Sequence, residues 1–250
     1  MPSVPIFGSV GLRAVNNPED VFQVKVRLIE LGFAWLQADE TAGPETMTVI
    51  KLFQAIKNGF QRIDDIRNDG RVDPNGETHL WLQASNAPSW ILMPAGSLEE
   101  GFINTEIADT SDNHDFGTNW LSDTIRAAGA HYRVNYMDDN PSAPPITIND
   151  TSKPRGGFTP IHQGHQAGLS CDVRLPHKSG LVGGGITYKD ARYDRTAMRA
   201  VIKAFRKQRL AIRVFFNDPQ LVKERICQAV SGHDNHAHFE VAPPARFNDF

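Results

Sequence analysis

The chain has 250 residues, enough for one large domain or two modest ones, and a body of that size buries a core without a disulfide scaffold. Hydrophobic residues make up 40%, charged residues 22%, and the formal net charge is −3. That profile excludes collagen, coiled-coil rods and wholesale disorder, and it argues against a nucleic-acid binder or a binder of anionic membranes, which needs a basic excess. No stretch approaches the roughly 18 apolar residues of a membrane span, so no membrane insertion is expected. The start, Met1 to Asn17, lacks a basic segment followed by an apolar run. No secretory signal is therefore expected, and synthesis in the cytoplasm is. Two cysteines, Cys171 and Cys227, are too few for a disulfide framework. Whether they pair is open at this level.

In chain order, Asn17-Pro18 opens a helix with Val21, Val24, Leu28 and Leu31 at helical spacing, and Gly32 stops it. A second helix starts near Pro44, carries Val49, Leu52, Phe53 and Ile56 on one face, and ends near Asn58-Gly59. A polar turn follows, then a short helical piece from Thr78 to Ala84. Residues 1–86 are thus expected as a small three-helix all-α domain. Residues 87–114, broken by Pro88, Pro94 and Gly96, are expected as a linker.

Residues 115–250 mix helices and strands without strict alternation, which predicts an α+β fold with a small antiparallel sheet and flanking helices. The expected helices lie near Trp120–Gly129, after Asp194, and from Asp218-Pro219 to Ile226. The expected strands are Ile146–Ile148, Leu169–Leu175, Ala211–Phe216 and His236–Val241. Residues 180–185 (GLVGGG) read as a flexible loop that could border a cleft or be plain surface.

Histidine carries the chemistry. Of nine, six lie beyond residue 160, and two clusters stand out: His165-Gln-Ala-Gly-Leu-Ser-Cys-Asp172 and His233-Asp-Asn-His236-Ala-His238. Two imidazoles and a carboxylate are the protein ligands of many catalytic zinc sites, with the remaining position left for water. His236 and His238, two apart on a strand, face one side. His165 and Asp172 are seven apart, so one straight strand would set them on opposite faces, and Gly168 must permit a bend. Either motif alone is more often ordinary surface or hydrogen-bonded residues; the two together carry the signal. His162 is a rival ligand on spacing alone. His79, His114, His131 and His177 show no partner pattern and read as ordinary. The acidic stretch at Asp69-Gly70 fails the calcium-loop register, with Arg67 and Gly76 at ligand positions. Cys171, in an apolar strand beside a carboxylate, is poorly placed to act as a nucleophile.

The motif order HxxxxxxD at His165–Asp172, then HxH at His236–His238, resembles the zinc peptidases that group D-Ala-D-Ala peptidases, lysostaphin-type enzymes and the hedgehog signalling domain. The wording His-Gln-x-Gly-Leu, with His233 three before the HxH pair, looks most like penicillin-insensitive murein endopeptidase over roughly residues 115–245. The resemblance implies His165, Asp172 and His238 as ligands of Zn2+, His236 as the catalytic histidine, and His233 in support. His233 stands where the dipeptidases of the group carry a Glu base, which favours the endopeptidase branch. The first block, with Leu28-Ile-Glu-Leu31-Gly32-Phe33 and Gly43-Pro-Glu-Thr46 through Gln54, resembles a three-helix peptidoglycan-binding module.

Together the resemblances imply a zinc-dependent D,D-endopeptidase that cuts peptidoglycan cross-links. Delivery to the cell wall is then expected by another route: as an antibacterial effector of a type VI-like secretion machine with a cognate immunity protein, or as a phage endolysin. A D,D-carboxypeptidase of the same fold is an alternative. So, from a different class, is a non-catalytic wall-binding protein with a structural zinc site that His236 completes.

Overall fold

A computed structural model describes residues 3–109, 111–160, 163–182 and 184–247. The chain opens with β1 (Val10–Gly11), α1 (Pro18–Glu30), α2 (Pro44–Asn58), β2 (Arg71–Val72) and α3 (Glu77–Gln83). Both long helices begin on a proline at their first position, where the missing N–H costs nothing. Val21, Val24 and Leu28 of α1 and Val49, Leu52, Phe53 and Ile56 of α2 are all nearly fully buried and belong to one hydrophobic core. Gly59, at φ 72°, caps α2 in the left-handed conformation. The turn at Asp69-Gly70 is pinned from inside by Gln54, whose Oε1 accepts from Gly70 N at 2.8 Å and whose Nε2 donates to Asp69 Oδ1 at 2.7 Å. That contact gives this acidic turn a structural role.

The stretch expected as a linker holds β3 (Trp90–Leu92), β4 (Gly96–Ser97), β5 (Phe102–Asn104) and a 3₁₀ turn at Glu106–Ala108. Pro94 and Gly96 punctuate short strands here rather than a free segment. Then come β6 (Phe116–Thr118), α4 (Asn119–Tyr132) with a π-turn to Met137, β7 (Ile146–Ile148), β8 (Ser170–Arg174), α5 (Arg195–Arg206), β9 (Ala211–Phe215), α6 (Pro219–Lys223) and β10 (His236–Val241). Six strands form one sheet in the order β4-β5-β7-β8-β10-β9. It is antiparallel except for the β5–β7 pair, which is parallel, a departure from the all-antiparallel expectation. The α+β reading holds, with α4 and α5 packed side by side against the sheet.

Alternation along the strands divides the sheet into two faces. Cys171 and Val173 of β8 and Ala237, Phe239 and Val241 of β10 turn to the helices, where Phe239 stacks on Phe205 of α5 with ring centroids 4.0 Å apart. The even-numbered residues, Ser170 and Asp172 with His236, His238 and Glu240, take the other face. Side-chain oxygens cap the helices: Thr118 accepts from Leu121 N, Asp194 from Thr196 N and Ala197 N, and Asp218 from Gln220 N.

Trp90 joins the first helices to the rest. Its N–H donates to Leu31 O at 2.8 Å, and its ring stacks on Phe33 at 6.2 Å. Gly32, at φ 90°, lies so close to the Trp90 carbonyl that any Cβ would collide with it. Ile63 N donates to Gln166 Oε1 at 3.3 Å, which brings the loop after α2 beside the first histidine motif.

Candidate metal centre

The register of β8 against β10 builds the site. Asp172 is the direct cross-strand partner of His238, and His236 is the partner of Arg174. On its other side His238 pairs with Phe215 of β9, and the two rings stack at 5.7 Å with 14° between planes. His238 is thus wedged between a carboxylate and an aromatic ring.

His165 arrives from the loop before β8. It sits at φ 59°, an unusual conformation for a residue with a side chain, and Gly168 follows at φ 61°. A Cβ on Gly168 would meet Gly117 Cα at 2.6 Å and the Trp90 ring at 2.7 Å, so the bend there requires glycine. His165 N donates to Ser170 Oγ at 3.2 Å, fixing the loop on the strand. The bend overcomes the odd spacing: His165 Nε2 lies 3.3 Å from Asp172 Oδ1, and His238 Nδ1 lies 2.8 Å from the same oxygen. The rings of His165 and His238 meet edge to face at 4.7 Å.

The three residues are buried, and one donor atom from each lies within 4.8 Å of the others. Two imidazole nitrogens and a carboxylate oxygen turned to one point are a donor set that fits a divalent metal ion. Burial alone would raise the Asp172 carboxyl, but His165 and His238 outweigh it and hold it well below the usual range. Burial lowers His238, while Asp172 and Glu240 overcome this and push it up to about 9.

Glu240, which sequence reasoning passed over, stands behind His238. Its Oε1 lies 3.6 Å from His238 Nε2, and Arg213 Nε lies 2.5 Å from its Oε2. The signal was in the strand: Glu240 continues the even-numbered row of His236 and His238. Carboxylates in this position orient metal-binding imidazoles and strengthen them as ligands.

His236 stands at the edge of the group, Nε2 3.6 Å from Asp172 Oδ2, with 24% of its side chain exposed. It is absent from the set of converging donors. Its Nδ1 lies 2.9 Å from Asn235 Oδ1, an acceptor that fixes the proton on Nδ1 and leaves Nε2 as a base. Burial lowers its pKa, against the pull of Asp172, so the ring is neutral at pH 7. Asp234 accepts from Asn217 Nδ2 at 2.7 Å and pairs with Lys189. His233 lies beside His236, ring centroids 5.0 Å apart, its Nδ1 3.1 Å from the carbonyls of Val230 and Ser231.

These residues line an open cleft of about 530 Å3, whose walls include Gln61 and Arg62 from the loop after α2, Gln163, Phe215 and the segment Val230–Gly232. None of the described residues within 180–185 lines it; Gly183 lies outside the described residues. Arg155 pairs with Glu45 of α2 at 3.0 Å. His162 lies outside the described residues.

Compared with models of known protein families and with curated proteins, the chain matches none of them. The functional reading therefore rests on the geometry of the cleft. Among the described residues, no helix is long and apolar enough to cross a membrane.

Proposed function

We propose that this chain is a zinc-dependent peptidase that cleaves D-amino-acid amide bonds in peptidoglycan cross-links. The observation that carries the reading is the convergence of His165, Asp172 and His238, from two distant motifs, at the floor of an open cleft. His165 Nε2, Asp172 and His238 Nδ1 would hold the ion. Zinc bound there would supply Lewis acidity, activating water near neutral pH and polarising the scissile carbonyl.

The protein's own groups supply the remainder. Neutral His236 presents Nε2 to the cleft, where it takes a proton from the attacking water and returns it to the leaving amine. Asn235 fixes the tautomer of that ring. His233, beside it, completes a polar wall that steadies the developing oxyanion. Glu240 and Arg213 keep His238 in its orientation. The three first helices are read as a peptidoglycan-binding module, and Gln61 and Arg62 bring that part of the chain to the rim of the cleft. His236 stands apart from the converging donors, which favours a three-ligand site open to water over a closed structural one.

The test is digestion of purified sacculi with metal analysis of the same preparation. One equivalent of zinc and release of uncross-linked muropeptides are expected, with both lost in His238→Ala. Full cleavage by that variant overturns the proposal.

A further inference from the structure

One residue in the even-numbered row of β8 takes no part in the steps assigned to His236 and the metal ligands. Ser170, Asp172 and Arg174 share the face that holds the metal centre, and Arg174 is the direct cross-strand partner of His236. Opposed residues on one face of an antiparallel pair have Cβ atoms about 5 Å apart, so strand register roots an arginine beside the histidine that handles the proton. Neither Arg174 nor Gly184 lines the cleft itself, so the place they occupy adjoins it beyond His236.

Arg174 is uncommitted. Its Nε is enclosed and without a hydrogen-bond partner, and among the described residues it forms no ion pair. Asp109 feels its charge, but Asp109 Oδ1 accepts from Ser111 N at 2.9 Å and no ion pair joins it to Arg174. Other cations around the cleft are paired: Arg62 with Asp64, Arg155 with Glu45, Lys189 with Asp234 and Arg213 with Glu240. Gly184 sets where the head of Arg174 lies. A Cβ added at Gly184 would collide with Arg174 Nη1 and stand 3.4 Å from its Cζ, so the guanidinium fills space that a side chain at 184 would take. A half-buried arginine keeps its charge and here lacks an anion, and its planar fork matches the two oxygens of a carboxylate.

We propose that Arg174, held under Gly184, forms a carboxylate-binding subsite for the half of the substrate that carries the leaving amine. This rests on the peptidase reading. His236 returns its proton to that amine, so a cation beside His236 meets the residue on the amine side of the bond. The substrate class narrows accordingly: a peptide with a free carboxylate next to the bond that is cut is favoured over its amide. Two N–H groups of the guanidinium donate to the two carboxylate oxygens, and arginine supplies its charge at every working pH.

The experiment measures binding apart from cleavage. Isothermal calorimetry on the full chain, zinc-loaded and carrying His236→Ala, compares acetyl-D-alanyl-D-alanine with its C-terminal amide. The acid should bind about 10–100-fold more tightly, the span that a charged hydrogen-bonded pair contributes. Adding Arg174→Gln should bring the acid down to the affinity of the amide and leave the amide unchanged. Gly184→Ala keeps the charge and displaces only the flexible end of Arg174, so it should weaken the acid selectively at an unaltered melting temperature. Circular dichroism shows that each variant is folded. No preference for the acid, or a preference that survives Arg174→Gln, overturns the subsite, and an unchanged acid affinity in Gly184→Ala overturns the part of Gly184 in it. Cleavage of sacculi by the unsubstituted protein together with equal binding of acid and amide leaves the peptidase reading standing and removes the subsite. A preference in binding without any cleavage keeps the carboxylate site and sinks the peptidase reading.

Discussion

Asp172 and His238 face each other across neighbouring antiparallel strands, with Asp172 Oδ1 2.8 Å from His238 Nδ1 and 3.3 Å from His165 Nε2. One carboxylate oxygen therefore holds both imidazoles. Without metal the arrangement is a buried ion pair, and deleting one partner strands a charge in the interior. Asp172→Ala is expected to destabilise the chelator-treated protein by about 3–5 kcal/mol in urea denaturation. Unchanged stability would mean that the histidines are neutral and the pairing is weak.

Protons and metal compete for His238. Its metal-free pKa is pushed up to about 9, above the ordinary 6.5. The contribution of the charged ring to metal-free stability is complete below pH 6.5 and disappears as pH rises through 9. Metal affinity moves the opposite way, rising about tenfold per pH unit until about pH 9 as one proton is displaced. Calorimetry in buffers of different ionisation enthalpy reads that proton; a flat affinity between pH 6 and 8 would contradict it.

Glu240→Gln keeps the shape of the side chain and removes its charge. The variant should bind zinc about 10–100-fold more weakly, while the fold and the cleft walls stay intact. Restoration by Glu240→Asp would separate orientation of His238 from a loss of packing.

His236→Ala should retain a full equivalent of zinc and lose about 10²–10⁴ in kcat on muropeptides. The pH profile of the residual activity should lose its acidic limb, because the ring that must be neutral is gone. Loss of zinc instead would make His236 a fourth ligand and favour the structural-site reading.

Cys171 and Cys227 are both free and buried. Burial, with Asp172 adding to it, drives the Cys171 thiol well above its ordinary value, and burial takes Cys227 up to about 11. Neither should react with a thiol reagent at pH 8 until the protein unfolds, and mild oxidants should leave the melting temperature unchanged.

Much of the local structure was legible in the residues. Pro18, Pro44 and Pro219 open helices, Asp194 and Asp218 cap them, and Gly59 ends one, because these signals act within a few residues. The strand bearing His236 and His238 could be read from its alternation, and the need for a bend at Gly168 followed from the odd spacing of His165 and Asp172. The short strands within residues 87–114 escaped the local pattern for one reason. β4 and β5 are only two and three residues long; β4 pairs with β5, and β5 is held to the rest of the sheet by β7, over 40 positions away, which no local pattern records.

By itself the sequence determined which residues could act as ligands, and the strand parity that sets His236, His238 and Glu240 on one face. Tertiary structure alone decided that His238 lies against Asp172 rather than Arg174, and that Glu240 stands behind it. The physical reason is register. Parity is fixed by the two-residue repeat of a strand, but sliding β10 by two residues along β8 would preserve every local preference and bring different side chains together.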